Sequence, residues 1–243
     1  MTNPINISGD VDLERLLTRL SDDIVKAPAF LRLYKDLGTL FGEYEKEANH
    51  SHFFWSLTSD AVREVGLIRI ARVFDQQEKA LSLRTLLLTI QANHHLFEDE
   101  AVRKRVHPDY AKEMRPGTHS PDSKDIEAHL RIVTHDDPLV HKIIMWRNTL
   151  GAHISPKRLL KWTGEEFDPL TPEDAFNLCD RAFKVFNHYS SLFQGVHYAR
   201  TVMGEEGSVE RVFEYLRLGI DADQKHVEEE FLKWKDAAEK HRK

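Results

Sequence analysis

The sequence contains a single cysteine, Cys179, among its 243 residues. One cysteine can form neither an intrachain disulfide nor a multi-cysteine zinc site, and it gives no reason to expect an oxidising compartment. No apolar run approaches the roughly 18 residues of a membrane span, and the first residues lack the basic and apolar regions of a secretory signal. We therefore expect a cytoplasmic protein that does not cross a membrane.

Positive charge is not in excess either, since the formal net charge is −6. This excludes binding to nucleic acid by charge spread over the whole domain, but it leaves room for a local cationic site. A basic cluster between Arg103 and Arg115 is interpreted as a solvated surface, because charge runs usually serve solubility. A second basic cluster, Lys157, Arg158 and Lys161, is kept as a candidate for binding phosphate.

Signature motifs of several enzyme classes are missing from the sequence. It has no Gly-rich phosphate loop, no Gly-x-Ser-x-Gly elbow and no paired-cysteine motif, so kinase, hydrolase and zinc-finger functions have no support. His94 and His95 are adjacent, so they point to different sides of a helix and do not form the i, i+4 pair that chelates a metal. We expect neither a metal site nor a cofactor.

Helical periodicity dominates what is present. Apolar residues recur at spacings of three and four in several segments, whereas alternating apolar and polar runs are almost absent. This predicts an all-α protein built as an up-and-down helical bundle. Positions 1–205 are expected to form the bundle domain. Positions 206–243 are expected to form a C-terminal helical extension beyond the break MGEEGS.

Prolines and capping residues predict several helix boundaries. The first helix is expected to end near Ala27, because Pro28 follows it, and a second helix is expected over positions 29–49. Positions 98–138 are expected to hold short helices joined by loops. Three further helix starts are predicted, at Ser82, at Asp137 with Pro138, and at Thr171 with Pro172. The last of these helices is expected to run to about Met203.

Positions 141–158, HKIIMWRNTLGAHISPKR, carry the main candidate site. Helical spacing places Arg147 on an apolar stripe, which is costly for a guanidinium unless it pairs with an acceptor or faces a polar cleft. A structural ion pair, with Asp75 as one candidate partner, is an alternative to a functional role. His153 follows six positions later, and Gly151 offers a way to turn it back. The alternative for His153 is a helix C-cap.

A second arginine and histidine at similar spacing show that the spacing alone is not decisive. Arg181 and His188 lie seven positions apart, on one helix face with Asn177, Lys184 and Ser191. The opposite face carries apolar residues. We interpret this pair as part of an ordinary solvated face with a structural role.

Arg147 and His153, with five residues between them at a helix end, resemble the active-site motif of the HEPN superfamily. The wider pattern resembles the phage abortive-infection (AbiU-type) branch of that superfamily over roughly positions 53–193. Its features are a long helix ending RVFD, a Ser-capped apolar helix, an irregular insert, and then RN followed by AH. The resemblance implies an all-α bundle of HEPN type with additional helices. It also implies a metal-independent endoribonuclease acting as a toxin or phage-defence effector.

The expected catalytic residues are therefore Arg147, Asn148 and His153. Histidine titrates near neutrality and serves as acid or base, arginine grips phosphate with two hydrogen bonds, and Asn148 can orient either group. One histidine cannot cover both proton transfers, so we expect a homodimer with one set of residues from each protomer. The resemblance implies products with a 2′,3′-cyclic phosphate and a 5′-hydroxyl.

The second basic cluster is expected to hold RNA phosphates outside the scissile one. RNA, a second copy of the chain and an antitoxin protein are the expected partners. Two alternatives remain open at this point. One is a non-catalytic HEPN module that binds nucleotide or RNA, and the other is a helical interaction protein in which Arg147 is structural.

Overall fold

The computed structural model describes residues 3–148, 169–201 and 207–240. Within these ranges the chain forms ten α-helices and a short 3-10 helix at His94–Phe97, and it contains no strand, which confirms the all-α prediction. The α-helices in chain order are α1 (Asp10–Glu43), α2 (Glu45–His50), α3 (His52–Val73), α4 (Leu83–Ala92), α5 (Asp99–Arg105), α6 (Pro108–Glu113), α7 (Ser123–Val133), α8 (Pro138–Trp146), α9 (Pro172–Gln194) and α10 (Ser208–Lys240). The short helices α5 to α7 occupy the region predicted to be irregular. Over the described part of the chain, no helix is long and apolar enough to span a membrane.

The chain divides into two compact units. The first comprises residues 1–31 and 62–202, and the second comprises residues 32–61 and 203–243. Both α1 and α3 therefore contribute residues to each unit. The domain boundary expected after position 205 stays a prediction.

The core of the first unit fixes the two segments that carry Asp75 and Arg147. Val73 and Phe74, at the end of α3, are fully buried, as are Val140 and Ile143 of α8. All four belong to one apolar cluster, which also takes in the inner face of α9. Full burial of such a side chain stabilises the fold by about 1.5–3 kcal/mol. The backbone on both sides of the candidate site is therefore anchored in the core.

The helix break predicted at Pro28 is wrong, because α1 continues through this residue from Asp10 to Glu43. A proline inside a helix removes a hydrogen bond and costs on the order of 3 kcal/mol. Ile24, Ala27 and Leu31 flank Pro28 and are almost fully buried. Their burial offsets the local cost, so the helix predicted after Pro28 is the second half of α1, followed by the short α2.

The three helix starts predicted from capping residues are confirmed. Ser82 caps α4, Asp137 accepts hydrogen bonds from two backbone N–H groups of α8, and Thr171 caps α9. The predicted end of the last of these helices is wrong, because α9 ends at Gln194, well before position 203. Gly195 adopts φ 67° and ψ 16°, the left-handed conformation that commonly terminates a helix.

The second unit has its own aromatic centre. Phe213 of α10 is fully buried, and its ring lies 4.7 Å from that of Trp55 and 5.4 Å from that of Tyr44. Arg217, one turn further along α10, pairs with the buried Glu47 of α2 at 3.0 Å. The first turns of α10 are therefore packed within this unit by both apolar and ionic contacts.

Candidate active site

Arg147 lies directly after α8 and continues its helical backbone, with φ −56° and ψ −45°. Its backbone N–H donates to the carbonyl groups of Ile143 and Ile144, so the backbone hydrogen bonds of the helix extend to Arg147. Only 17% of the Arg147 side chain is exposed. The guanidinium therefore occupies the semi-buried position expected from its place on the apolar stripe, and it needs acceptors there.

Asp75 supplies the main acceptor for Arg147. Nη1 of Arg147 lies 2.5 Å from Oδ2 of Asp75, whose side chain is 13% exposed. The other carboxylate oxygen of Asp75 accepts the backbone N–H of Gln77 at 2.9 Å, which fixes the carboxylate in the turn after α3. The ion pair considered from the sequence is thus present. It satisfies a structural arginine and equally holds a catalytic arginine in one orientation.

Asn148 holds the opposite side of the same guanidinium. Both Nε and Nη2 of Arg147 donate to Oδ1 of Asn148, each at 3.2 Å. A guanidinium carries five N–H groups, and these contacts engage one on each nitrogen. Among the contacts between described residues, one N–H group on Nη1 and one on Nη2 stay unused, and these can donate to an anionic ligand such as phosphate. The structure thus brings Arg147 and Asn148 together, as the sequence predicted.

A cleft of about 270 Å³ adjoins Asp75, and Arg19 of α1 and Arg72 of α3 line it. Their side chains are 54% and 47% exposed, respectively. Arg72 lies in the last turn of α3 and Asp75 lies just after that helix, so both residues are at its C-terminal end. Neither arginine carries a signal of its own in the sequence. The motif RVFD contained Arg72, but only the packing of α1 against α3 brings Arg19 beside it.

The arginines of this region pair with a buried carboxylate, Asp23. Arg69 lies 2.6 Å from it, and the two cleft arginines lie within 4.0 Å. Asp22 beside it accepts hydrogen bonds from Lys26 and Arg69, which hold the pKa of that carboxyl below its usual value. The cleft lining itself is balanced, with Arg19 and Arg72 against Asp23 and Asp75. Counting Arg69, Lys26, Asp22 and Arg147, which pair around it, five cationic groups face three carboxylates.

The chain matches the family model HEPN_AbiU2, described as AbiU2, over residues 10–212. The chain belongs to the HEPN_AbiU2 family. The matched region takes in both Asp75 and Arg147, and it confirms the HEPN resemblance and the abortive-infection branch inferred from the sequence. Together with the helices described above, it confirms an all-α bundle of HEPN type. No curated protein and no solved structure gives a significant match.

The remaining predicted site residues of this HEPN_AbiU2 chain lie outside the described residues. They are His153, Lys157, Arg158 and Lys161. The approach of His153 to Arg147 and the position of the basic cluster therefore stay predictions. Among the described residues, no group of three His, Cys, Asp or Glu side chains is arranged to hold a metal ion.

The other arginine–histidine pair has a different environment. Nη1 of Arg181 lies 2.6 Å from Asp137, the N-cap of α8, and donates to the carbonyl of Ile132 at 2.9 Å. The side chain is 22% exposed, so the predicted solvated face is wrong in this detail. Arg181 ties α9 to the start of α8, which supports the structural role predicted for it. His188 lies against another histidine, His129, with ring centroids 5.3 Å apart.

His129 connects α7 to α9 through a hydrogen bond of 2.9 Å between its Nδ1 and the hydroxyl of Tyr189. Burial lowers the pKa of His129, and the neighbouring His188 lowers it further. Burial also raises the pKa of the Tyr189 hydroxyl. Both groups are therefore held uncharged at neutral pH, which suits a polar link at the edge of an apolar core.

The basic cluster between Arg103 and Arg115 also serves the fold. The guanidinium of Arg105 lies 3.9 Å from the ring centroid of Phe193 and donates to the carbonyl of Leu96 at 2.5 Å. Arg103 donates to two backbone carbonyls of the following segment. The interpretation of this cluster as non-functional is supported, although Arg105 is packed in the protein and not solvated.

Proposed function

We propose that this chain is a metal-independent endoribonuclease of HEPN type that acts as a toxin or phage-defence effector. One observation carries the proposal. Arg147, at the end of a core-anchored helix, is held on two sides by Asp75 and Asn148 and lies one ion pair away from an arginine-lined cleft. Family membership supports the same assignment, because the chain belongs to an abortive-infection family of the HEPN superfamily.

In the proposed reaction, the 2′-hydroxyl of RNA attacks the adjacent phosphorus. The new bond joins O2′ to phosphorus, and the bond from phosphorus to O5′ breaks. A base removes the 2′-hydroxyl proton and an acid protonates the departing O5′, leaving a 2′,3′-cyclic phosphate and a 5′-hydroxyl. His153 supplies base or acid, and Arg147 stabilises the negative charge of the pentacoordinate phosphate. Asn148 and Asp75 orient the guanidinium.

The predicted site has a single histidine, His153, which leaves one proton transfer without a side chain, so the proposed active species is a homodimer. The helices that carry positions 139–150 would approach each other near a two-fold axis, and each protomer would contribute one His153. Lys157, Arg158 and Lys161 would bind flanking phosphates, and Arg19 and Arg72 of the cleft would extend that path. An antitoxin protein is the expected regulatory partner.

Purified protein incubated with labelled RNA in the presence of EDTA tests the proposal. The wild type should cleave, and His153→Ala should lower turnover by about 100-fold or more, a typical loss for a positioned acid or base. RNA binding and melting temperature should be retained. His188→Ala is the matched control, because it removes the histidine of the other pair, and it should cleave at the wild-type rate.

The same experiment has two results that would contradict the proposal. Absence of cleavage by the dimeric wild type would favour a non-catalytic HEPN module that binds nucleotide or RNA. Normal cleavage by His153→Ala would remove this residue from the catalytic assignment.

A helical interaction protein with a structural Arg147 is the second candidate function. The observation that favours it is the ion pair with Asp75, which offsets the charge of the guanidinium. This candidate predicts that Arg147→Ala destabilises the fold and that no variant of Arg147 changes RNA binding. The endoribonuclease proposal predicts that variants of Arg147 change RNA binding and turnover even when they keep their stability.

A further inference from the structure

The C-terminal helix α10 carries an apolar stripe that changes from buried to exposed along its length. Phe213, near the start, is fully buried. Val227, Phe231 and Trp234 are 58%, 59% and 67% exposed. Isolated exposed apolar residues are ordinary on a protein surface, but three large ones on one helical face need an explanation.

The stripe follows a heptad pattern. In its second half, apolar residues recur at alternating spacings of four and three residues. In its first half the spacing is seven, because a polar residue takes each intermediate position. This pattern is typical of a helix that packs along one seam. We call these residues the heptad seam: Phe213, Ile220, Val227, Phe231, Trp234 and Ala238. The same seam therefore runs through the packed and the exposed parts of α10.

Contacts within the second unit cover the first half of the heptad seam. Phe213 stacks on Trp55, and Lys46 of α2 reaches Asp221 and Gln224 of α10 at 3.4 and 3.0 Å. From Val227 onward the seam is exposed, with only Ala238 partly buried. The exposed half thus continues an interface that already exists inside the unit.

We propose that the exposed half of the heptad seam binds the same segment of a second copy of this chain, with the two helices antiparallel. Packing about a two-fold axis then sets Phe231 against Trp234 of the second copy, and Val227 against Ala238 of the second copy. The two-fold axis makes each of these two contacts occur twice, so the same surface is buried on both chains. Large rings meet at the centre, and the smaller side chains meet at the ends.

Charges beside the seam favour this orientation. Glu228 and Lys235 occupy the same flanking position in successive heptads, and antiparallel packing brings Glu228 next to Lys235 of the second copy, twice. Parallel packing would bring Glu230 next to Lys235 of the second copy, an attractive contact, but also Asp223 next to Glu228 of the second copy, a repulsive one, and each would occur twice. Attraction and repulsion offset each other in the parallel pair, whereas the antiparallel pair has the attractive contact alone, so the flanking charges favour the antiparallel orientation.

The exposed seam covers less than two heptads, so the predicted association depends on protein concentration. Sedimentation of the full chain over a series of concentrations tests it. Phe231→Glu with Trp234→Glu should weaken the association constant by at least about tenfold, because the change buries carboxylates in the paired state. Leu232→Glu is the matched control. Leu232 is 58% exposed but lies off the seam, so this variant should associate like the wild type.

Two results of this experiment would overturn the proposal: a mass distribution unchanged by the seam variant, or an equal loss in the control. Circular dichroism should show that the helix content of both variants is retained. The proposed dimer at Arg147 involves a different surface. The seam variant therefore reports on α10 alone, whether or not the chain cleaves RNA.

Charge exchange tests the orientation. Glu228→Lys and Lys235→Glu should each weaken association, because each places like charges together. The double variant should restore association, since the exchanged charges are again opposite each other across the two chains. If the double variant stays as weak as the single variants, the antiparallel register is wrong.

Discussion

Arg147 and Arg181 each have a histidine six or seven positions later, yet the structure gives them different surroundings. Each lies within 2.6 Å of a carboxylate, and each is about one-fifth exposed. The partner of Arg181 is Asp137, which at the same time caps α8, and a second bond goes to a backbone carbonyl. The partner of Arg147 is Asp75, which borders a cleft of about 270 Å³, whereas Arg181 itself lines a larger cleft, of about 930 Å³, together with His188.

The comparison teaches that an ion pair does not by itself separate a structural arginine from a functional one. The surroundings of the carboxylate are more informative. Asp137 accepts two backbone N–H groups at the start of α8, so its contact with Arg181 joins two helices, whereas Asp75 accepts one, from Gln77 in the turn after α3. Asp75 holds Arg147 beside a cleft that Arg19 and Arg72 line together with Asp23 and Asp75 itself.

The largest expected difference between the two arginines is in catalysis. Arg147→Ala should lower cleavage by about 100-fold or more and weaken RNA binding, because the guanidinium contacts the phosphate before and during the reaction. Arg181→Ala should cleave at nearly the wild-type rate per folded molecule. Single-turnover rates with labelled RNA, normalised to the folded fraction, measure both.

Arg147→Lys provides a control for this comparison. Lysine keeps a positive charge near Asp75, so most of the stability should be retained, but it lacks the planar fork that grips phosphate and Asn148 together. Cleavage should therefore stay impaired in a stable protein. Equal activities of the alanine variants at the two positions would show that Arg147 is only structural.

Much of this site could be anticipated from sequence, because the relevant signals are local. An arginine on an apolar stripe needs an acceptor, and the sequence offers Asp75 as one candidate. The cleft arginines Arg19 and Arg72 could not be anticipated, since their proximity arises when α1 packs on α3. The continuity of α1 through Pro28 has the same origin, as burial of its neighbours outweighs the local preference of proline.

The free energy of unfolding should decrease more when Asp137, the partner of Arg181, is replaced than when Asp75, the partner of Arg147, is replaced. Asp137→Ala removes both the partner of Arg181 and the N-cap of α8, so we expect a loss of about 2–4 kcal/mol. Asp75→Asn keeps an acceptor for Arg147 and should cost about 1–2 kcal/mol. Denaturant unfolding of the two variants measures the difference. A larger loss for Asp75→Asn would reverse the assignment of roles.

A smaller effect is expected from the proposed phosphate contacts around Arg147. Replacing Lys157, Arg158 and Lys161 by Gln should weaken RNA binding at low salt and reduce its salt dependence. Each lost contact should lower the slope of log K against log salt by about 0.7 for single strands. The matched control replaces Lys112, Lys184 and Lys225 by Gln, which removes the same charge from three exposed positions outside the predicted cluster. An equal change in both sets would indicate nonspecific charge attraction.

The smallest expected effect concerns the pH dependence of stability near Arg181, where His129 is bonded to Tyr189. Burial and the charge of His188 lower the pKa of His129 from 6.5 in the folded protein, with a smaller opposing effect of Asp125. The unfolded chain therefore takes up a proton first as the pH falls below about 6.5, and protonation then favours unfolding. The free energy of unfolding should be greatest above that pH and should decrease between pH 7 and pH 5. His129→Gln removes this titration and should flatten the profile measured by urea unfolding, whereas His135→Gln, at a largely exposed position, should leave the profile unchanged. A wild-type slope retained in His129→Gln would mean that another group controls the acid sensitivity of this region.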